Sequence, residues 1–327
     1  MSQNSTNSVS GAAPGKLGRS GRKPRRPLTQ TRFWSNRYIH IMVAITVIYF
    51  LLFRYWPLAW ISIAFKDYKI LRGFSGSDWV GFKNFERIFN NMPYFMSLIR
   101  NTLALNVLSL VFAFPAPIIF ALLINEVRST TFKRSVQTIS YLPHFLSTVV
   151  VVGIASTFLS PSLGALNKWI VQLGGDRVNF LASPRYFWGL MVSIGMWQGT
   201  GWNAIIYLSA IVGIDPTLHE AAEIDGAGRL KRIWHVTMPG IRNTIIILLI
   251  LRIGSLMAVD TERIYLFQND LNLSVSEMFP TYTYKLGILR SDYSRATAIG
   301  LFSSVISLTL VLIANWAAKK YSDVSII

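Results

Sequence analysis

The chain has 327 residues, of which 52% are hydrophobic and 14% charged, with a mean hydropathy of +0.40. That balance describes a protein that crosses a membrane many times and excludes an ordinary soluble domain. The formal net charge is +17 and there is no cysteine, so disulfide frameworks, thiolate catalysis and iron–sulfur chemistry are excluded.

Much of the positive charge lies at the start. Residues 1–37 are rich in Ser, Gly, Pro and basic side chains (Lys16, Arg19, Arg22, Lys23, Arg25, Arg26, Arg32 and Arg37), without an acid. Such a segment has too little apolar surface to fold, and it reads as a disordered cytoplasmic tail near anionic lipid. It is not read as a nucleic-acid arm, nor as a cleaved signal peptide, because the apolar stretch behind it is too long.

Residues 38–327 read as one transmembrane domain. A first span over Tyr38–Trp56 has the roughly 20 residues a bilayer needs, with Arg54 snorkelling to an interface. Pro57 is expected to break it, with Leu58–Phe65 continuing as a short apolar piece. An outer loop with interfacial aromatics follows through Trp79 and Phe85. A second span, Asn101–Asn125, holds Pro115 and Pro117 and is expected to kink. A short basic loop with Arg128, Lys133 and Arg134 leads to a third span from about Tyr141 to Ser160. The next outer loop carries Gly164, Asn167, Gly174 and Gly175. The fourth span, Tyr186–Ile211, contains Trp197, Gln198, Gly199, Gly201, Trp202, Asn203 and Tyr207. These polar and small residues point either to close helix packing or to a polar-lined interior.

A polar loop over 213–240 then reads as two consecutive helices. Asp215 is placed to cap the first and Pro216 to occupy its opening position, where no N–H is needed. Glu220, Ala221, Ala222 and Asp225 follow, and Gly226 permits a sharp break. A basic turn, Arg229–His235, leads through Val236 and Met238 to Pro239, which is expected to end it. The fifth span, Ile241–Ala258, carries Arg252. A polar outer segment over 260–295 includes a possible partly inserted helix near Phe279–Ile288, and the sixth span is Ala296–Ala317. Six spans put both termini and the 213–240 loop on one side.

No Gly-rich phosphate loop, metal-ligand spacing, nucleophile elbow or intramembrane carboxylate pair is present, so no catalytic residue, metal or cofactor is expected. A secondary transporter would need ion-coupling residues or paired broken helices, and a membrane-embedded enzyme would need convergent catalytic side chains. Neither pattern is found.

With Glu220-Ala221-Ala222, Gly226 and Pro239 in place, the loop resembles the Glu-Ala-Ala signature of permease subunits of binding-protein-dependent ABC importers. Val236 and Met238 stand where that family usually has Ile and Leu. The runs Tyr55–Tyr68, Trp79–Phe85 and Ser291–Phe302 are similar to its oligosaccharide-importing branch. The resemblance implies an all-α membrane protein with six transmembrane helices of the type I importer kind, in a bacterial inner membrane. It further implies an ATPase dimer docked on the loop, a second permease subunit forming a heterodimer, an extracellular solute-binding protein and a carbohydrate cargo. The chain itself would then be no enzyme, ATP being hydrolysed by the partner.

Arg252 lies about 20 Å past Pro239 at 1.5 Å per residue, where a cation facing lipid costs about 2.5–3.5 kcal/mol. Two roles fit: an ion pair with Asp260 or Glu262, or a place on the substrate path with Asn203, Tyr207, Tyr282 and Tyr284.

Overall fold

The computed structural model describes residues 37–322, and the notion of a basic tail over 1–37 falls outside it apart from Arg37. Among the described residues the only β pairing is an isolated bridge between Lys66 and Trp79. The chain divides at Ala59 and Trp60 into two units.

The first unit holds α1 (Arg37–Phe50), which passes into a wide i→i+5 turn, Leu51–Tyr55. A 3₁₀ segment, Trp56–Phe65, carries the chain into the second unit. Pro57 therefore does not break the helix. The chain stays helical from Arg37 to Phe65 and changes only its pitch.

The same device recurs twice in the second unit. α3 (Met92–Leu108) opens into a wide turn, Ser109–Ala113, and continues as α4 (Pro115–Asn125), so that the second span starts earlier than expected and covers 34 residues. The loop helix α10 (Arg229–Arg232) opens into Ile233–Thr237 and runs on as α11 (Met238–Gly254). Pro239 does not stop that helix, because Arg229–Gly254 is continuous. In all three places the wide turn ends two residues before a proline. A proline lacks the N–H that an α-turn requires, and its ring crowds the carbonyl four residues back. Widening the preceding turn, with the Phe114 N–H reaching the Ser109 carbonyl at 3.0 Å, relieves that conflict without ending the helix.

The supposed basic loop after the second span is a helix, α5 (Thr130–Tyr141), capped by Ser129. It bends through 104° at Leu142–Ser147 into α6 (Thr148–Leu159), so the third span is a broken pair and not one rod. The break lies at Leu146 and Ser147, both in extended backbone, with Ser147 capping α6. The loops contain further short helices: α2 (Lys83–Phe89), α7 (Ala165–Gln172), α12 (Thr261–Phe267), α13 (Leu273–Ser276) and α14 (Phe279–Tyr284). Phe279, Thr281 and Leu286 are almost wholly buried, whereas Tyr284 and Ile288 are exposed, so the Phe279–Ile288 stretch packs one face against the protein.

α8 (Pro184–Val212) spans 29 residues, and α15 (Tyr293–Ser322) ends the described chain. Four helices are long and apolar enough to cross a membrane, and the broken pair makes up to five. α8 has the length for a sixth crossing but carries too many polar groups to pass on composition. Its reason is packing. A side chain at Gly201 would put its Cβ 2.2 Å from the Ser140 carbonyl oxygen, so only glycine lets α8 lie against α5. Ile118, Ala121, Ala204, Tyr207, Ile211 and Ile241 close the core between α4, α8 and α11.

Candidate functional site

Two features stand out, a bare helix–turn–helix loop and a cavity. In the loop, α8 ends at Gly213, and Asp215 accepts a hydrogen bond from the Thr217 N–H at 3.0 Å. That bond holds the Asp215 carboxyl below the usual carboxylate range. α9 (Pro216–Ile224) follows with Pro216 in its first turn, as the sequence indicates. Its end is a Schellman closure: the Ala227 N–H donates to the Ala222 carbonyl at 2.9 Å and the Gly226 N–H to the Glu223 carbonyl at 3.0 Å. Gly226 sits at φ +73°, the left-handed region that glycine enters freely. Among the described residues no atom lies within 4 Å of where its Cβ would be, so its role here is conformational and not one of close packing.

The two loop helices are pinned by an ion pair, Arg232 to Glu223 at 2.8 Å. At the loop's base, a Cβ on Gly240 would meet Ile214 Cδ1 at 2.6 Å, so the loop leaves and re-enters the bundle at adjoining points. Glu220, Ala221 and Asp225 are exposed, Ala222, Val236 and Met238 are half-buried, and Pro239 is exposed. Around them Leu218 is 54% exposed, Ile224 87%, Leu230 82% and Trp234 69%. Apolar side chains of this size left bare on a loop signal a surface that another protein covers.

The cavity, about 610 Å³, lies between α3, its wide turn, α4, α8, α11 and α12. It is within the range of roughly 300–1,000 Å³ typical of small-molecule sites. Asn203, Tyr207 and Arg252 all line it. Tyr282 and Tyr284 do not: Tyr282 packs edge-on against Tyr94 at 5.2 Å, and Tyr284 against Tyr265 at 5.2 Å. The structure thus brings together three of the five side chains grouped from the sequence. It adds Asn106, Ser109, Ser255, Asp260 and Arg263. Asn106 and Ser109 were visible as polar residues within an apolar span, and Asp260 and Arg263 as an i,i+3 pair.

Arg252 does not pair with Asp260 or Glu262. Asp260 instead binds Arg263, Oδ2 to Nη2 at 2.6 Å, and the same Nη2 donates to Gln198 Oε1 at 2.7 Å. Gln198 in turn donates to the Leu146 carbonyl at 3.3 Å, tying this cluster to the bend of the third span. A Cβ at Gly195 would lie 3.1 Å from Arg263 Nη1, so a small residue on α8 gives the guanidinium its room. Among the described residues no group of His, Cys, Asp and Glu could hold a metal ion.

Long apolar helices, a polar cavity between them and an exposed helix–turn–helix loop describe a multi-pass membrane protein of the permease kind. A family model described as binding-protein-dependent transport system inner membrane component matches residues 113–323, and the chain belongs to that family. It is a family of importer permeases and not of enzymes. The chain is 46% identical over 288 residues to Protein LplB of Bacillus subtilis (strain 168), covering 88% of this chain and 90% of that protein. It is 45% identical over 289 residues to the polygalacturonan/rhamnogalacturonan transport system permease protein YteP of the same organism, again covering 88% and 90%. Among solved structures it is similar to a bacterial ABC transporter involved in the import of the acidic polysaccharide alginate. The TM-score is 0.83 at 39% identity, over 89% of this chain and 98% of that one. A second structure of the alginate transporter, in complex with an alginate pentasaccharide-bound periplasmic protein, matches equally well, over 90% and 98%.

Proposed function

We propose that this chain is one of two permease subunits of an ATP-driven importer and forms the path for an oligosaccharide handed over by an extracellular binding protein. The observation that carries this reading is the loop. A capped helix, a glycine-closed turn and an ion-paired second helix present uncovered apolar side chains next to Glu220, Ala221, Ala222 and Asp225. The chain carries no phosphate-cradling loop, so hydrolysis belongs to an ATPase dimer docked there, with Gly226, Val236, Met238 and Pro239 shaping the contact. The loop and both termini face the cytoplasm, and six crossings follow if the broken pair and α8 each span once. Carbohydrate cargo is supported by the polysaccharides named for the YteP relative and for the alginate importer. Asn203, Tyr207 and Arg252 line the path through the 610 Å³ cavity.

A secondary transporter or a membrane-embedded enzyme would have no use for a bare docking loop. Affinity purification of the tagged chain from its native membrane tests the reading directly. Two ATPase subunits and one second permease should co-purify per tagged chain, and the reconstituted assembly should take up oligosaccharide only when ATP and binding protein are both supplied. Uptake driven by an ion gradient without ATP would reject it.

A further inference from the structure

The polar groups of the cavity are not neutral in sum. Two arginines, Arg252 and Arg263, line it with one carboxylate residue, Asp260. Arg263 is committed: it holds Asp260 and Gln198 through Nη2, and its side chain is only 14% exposed. Arg252 is different. Among the described residues it forms no ion pair, although it lies in the last turn of a membrane-spanning helix. A fixed cation at that depth is retained where an anion or water faces it, and such residues mark paths. The remaining polar lining, Asn106, Ser109, Asn203, Tyr207 and Ser255, is uncharged and offers both donors and acceptors. Hydroxyl-rich rings suit that lining. The single uncommitted positive charge suits one anionic group among them.

We infer that the cargo is an acidic oligosaccharide, and that Arg252 receives the carboxylate of a uronic acid residue in this cavity. The inference rests on the importer reading above and adds the charge of the cargo to it. A guanidinium presents a planar fork that matches a carboxylate through two parallel hydrogen bonds, which an ammonium cannot do. The neutral groups then hold the ring hydroxyls, and Arg263, locked by Asp260, shapes the wall without competing for the anion.

The test uses the complete transporter in proteoliposomes with two probes, trigalacturonate and its methyl ester, which share rings and hydroxyls and differ in charge. Arg252→Gln should lower trigalacturonate uptake about tenfold, the scale of a lost charge-assisted hydrogen bond. The loss should fall selectively on the acid, with ester uptake reduced severalfold less, and Arg252→Lys should fall between. A second measurement leaves out the binding protein and leaves Arg252 intact. Because this chain has no cysteine, Ser255→Cys supplies its single thiol. Trigalacturonate should slow maleimide labelling of that thiol severalfold, and the ester should not. Equal protection by acid and ester overturns the inference, as does an equal loss of both uptakes in Arg252→Gln. Should Arg252→Gln fail to assemble, the labelling comparison decides alone. Import of the ester only would overturn the acidic cargo and leave the carbohydrate reading standing. Import of neither probe by an ATP-hydrolysing wild-type complex would overturn both.

Discussion

Replacing Gly226 tests whether the loop geometry, and not merely its composition, couples this permease to its energy source. The residue closes the Schellman turn at φ +73°, and a Cβ added there would meet no described atom within 4 Å. The first penalty on a substitution is therefore backbone conformation, about 1–2 kcal/mol for an ordinary L-residue in the left-handed region. That energy corresponds to an approximately 5- to 30-fold loss of the native turn relative to alternatives. Asn enters the same region far more readily, so it separates conformation from bulk. Gly226→Leu should lower ATP-driven uptake by about that factor while the protein remains abundant in the membrane. Gly226→Asn should keep most of the activity. The assay is initial uptake rate in proteoliposomes, normalised to permease on a gel. If Leu transports normally, or Asn is as damaging as Leu, the turn does not set the docking surface.

Three further outcomes are expected. Gly201→Val should place atoms on the Ser140 carbonyl and lower the thermal midpoint of the detergent-solubilised protein, since overpacking costs roughly 1–3 kcal/mol, whereas Gly153→Ala on α6, with open space around it, should hold or raise the midpoint. Glu220→Ala should reduce uptake only slightly, because an exposed carboxylate contact is worth under about 1 kcal/mol. Cysteine replacing Ser75 should react with an impermeant thiol reagent on intact cells and cysteine replacing Arg229 should not; the reverse pattern would invert the proposed orientation.

The loop was legible because its signals are local. Asp215, Pro216 and Gly226 each satisfy or release backbone groups within a few residues, and the structure uses Asp215 and Gly226 as cap and turn. Span positions were legible from apolar length, most closely for α8. The prolines misled for a definite reason: the rule that proline ends a helix assumes an α-turn behind it, and the wide turns before Pro57, Pro115 and Pro239 remove that assumption. α5 was hidden because its charged face reads as loop when taken residue by residue, and Ser129 as a cap was the missed signal. Cavity membership was legible only in part. Asn203 and Tyr207 lie one helical turn apart on α8, whereas the removal of Tyr282 and Tyr284 depends on their partners Tyr94 and Tyr265. Tyr282 and Tyr94 are far apart in the sequence, so local periodicity cannot report their contact.

The turn at Ile233–Thr237 joins the exposed loop to the span that carries Arg252. A turn closed i→i+5 stores one residue more than an ordinary one, equivalent to about 100° of rotation if it is released. It behaves as a swivel within an otherwise stiff rod. Torque applied to the loop end of this span can then be taken up as twist about the helix axis, with little travel along it. The guanidinium of Arg252 would sweep around the cavity wall while the helix kept its depth in the bilayer. The matching turn at Ser109–Ala113 lies in the cavity wall itself and contributes Ser109 and Ala113 to the lining. One swivel at the foot of the Arg252 span and one in the chamber wall would let the lining be re-aimed without lengthening or shortening any span.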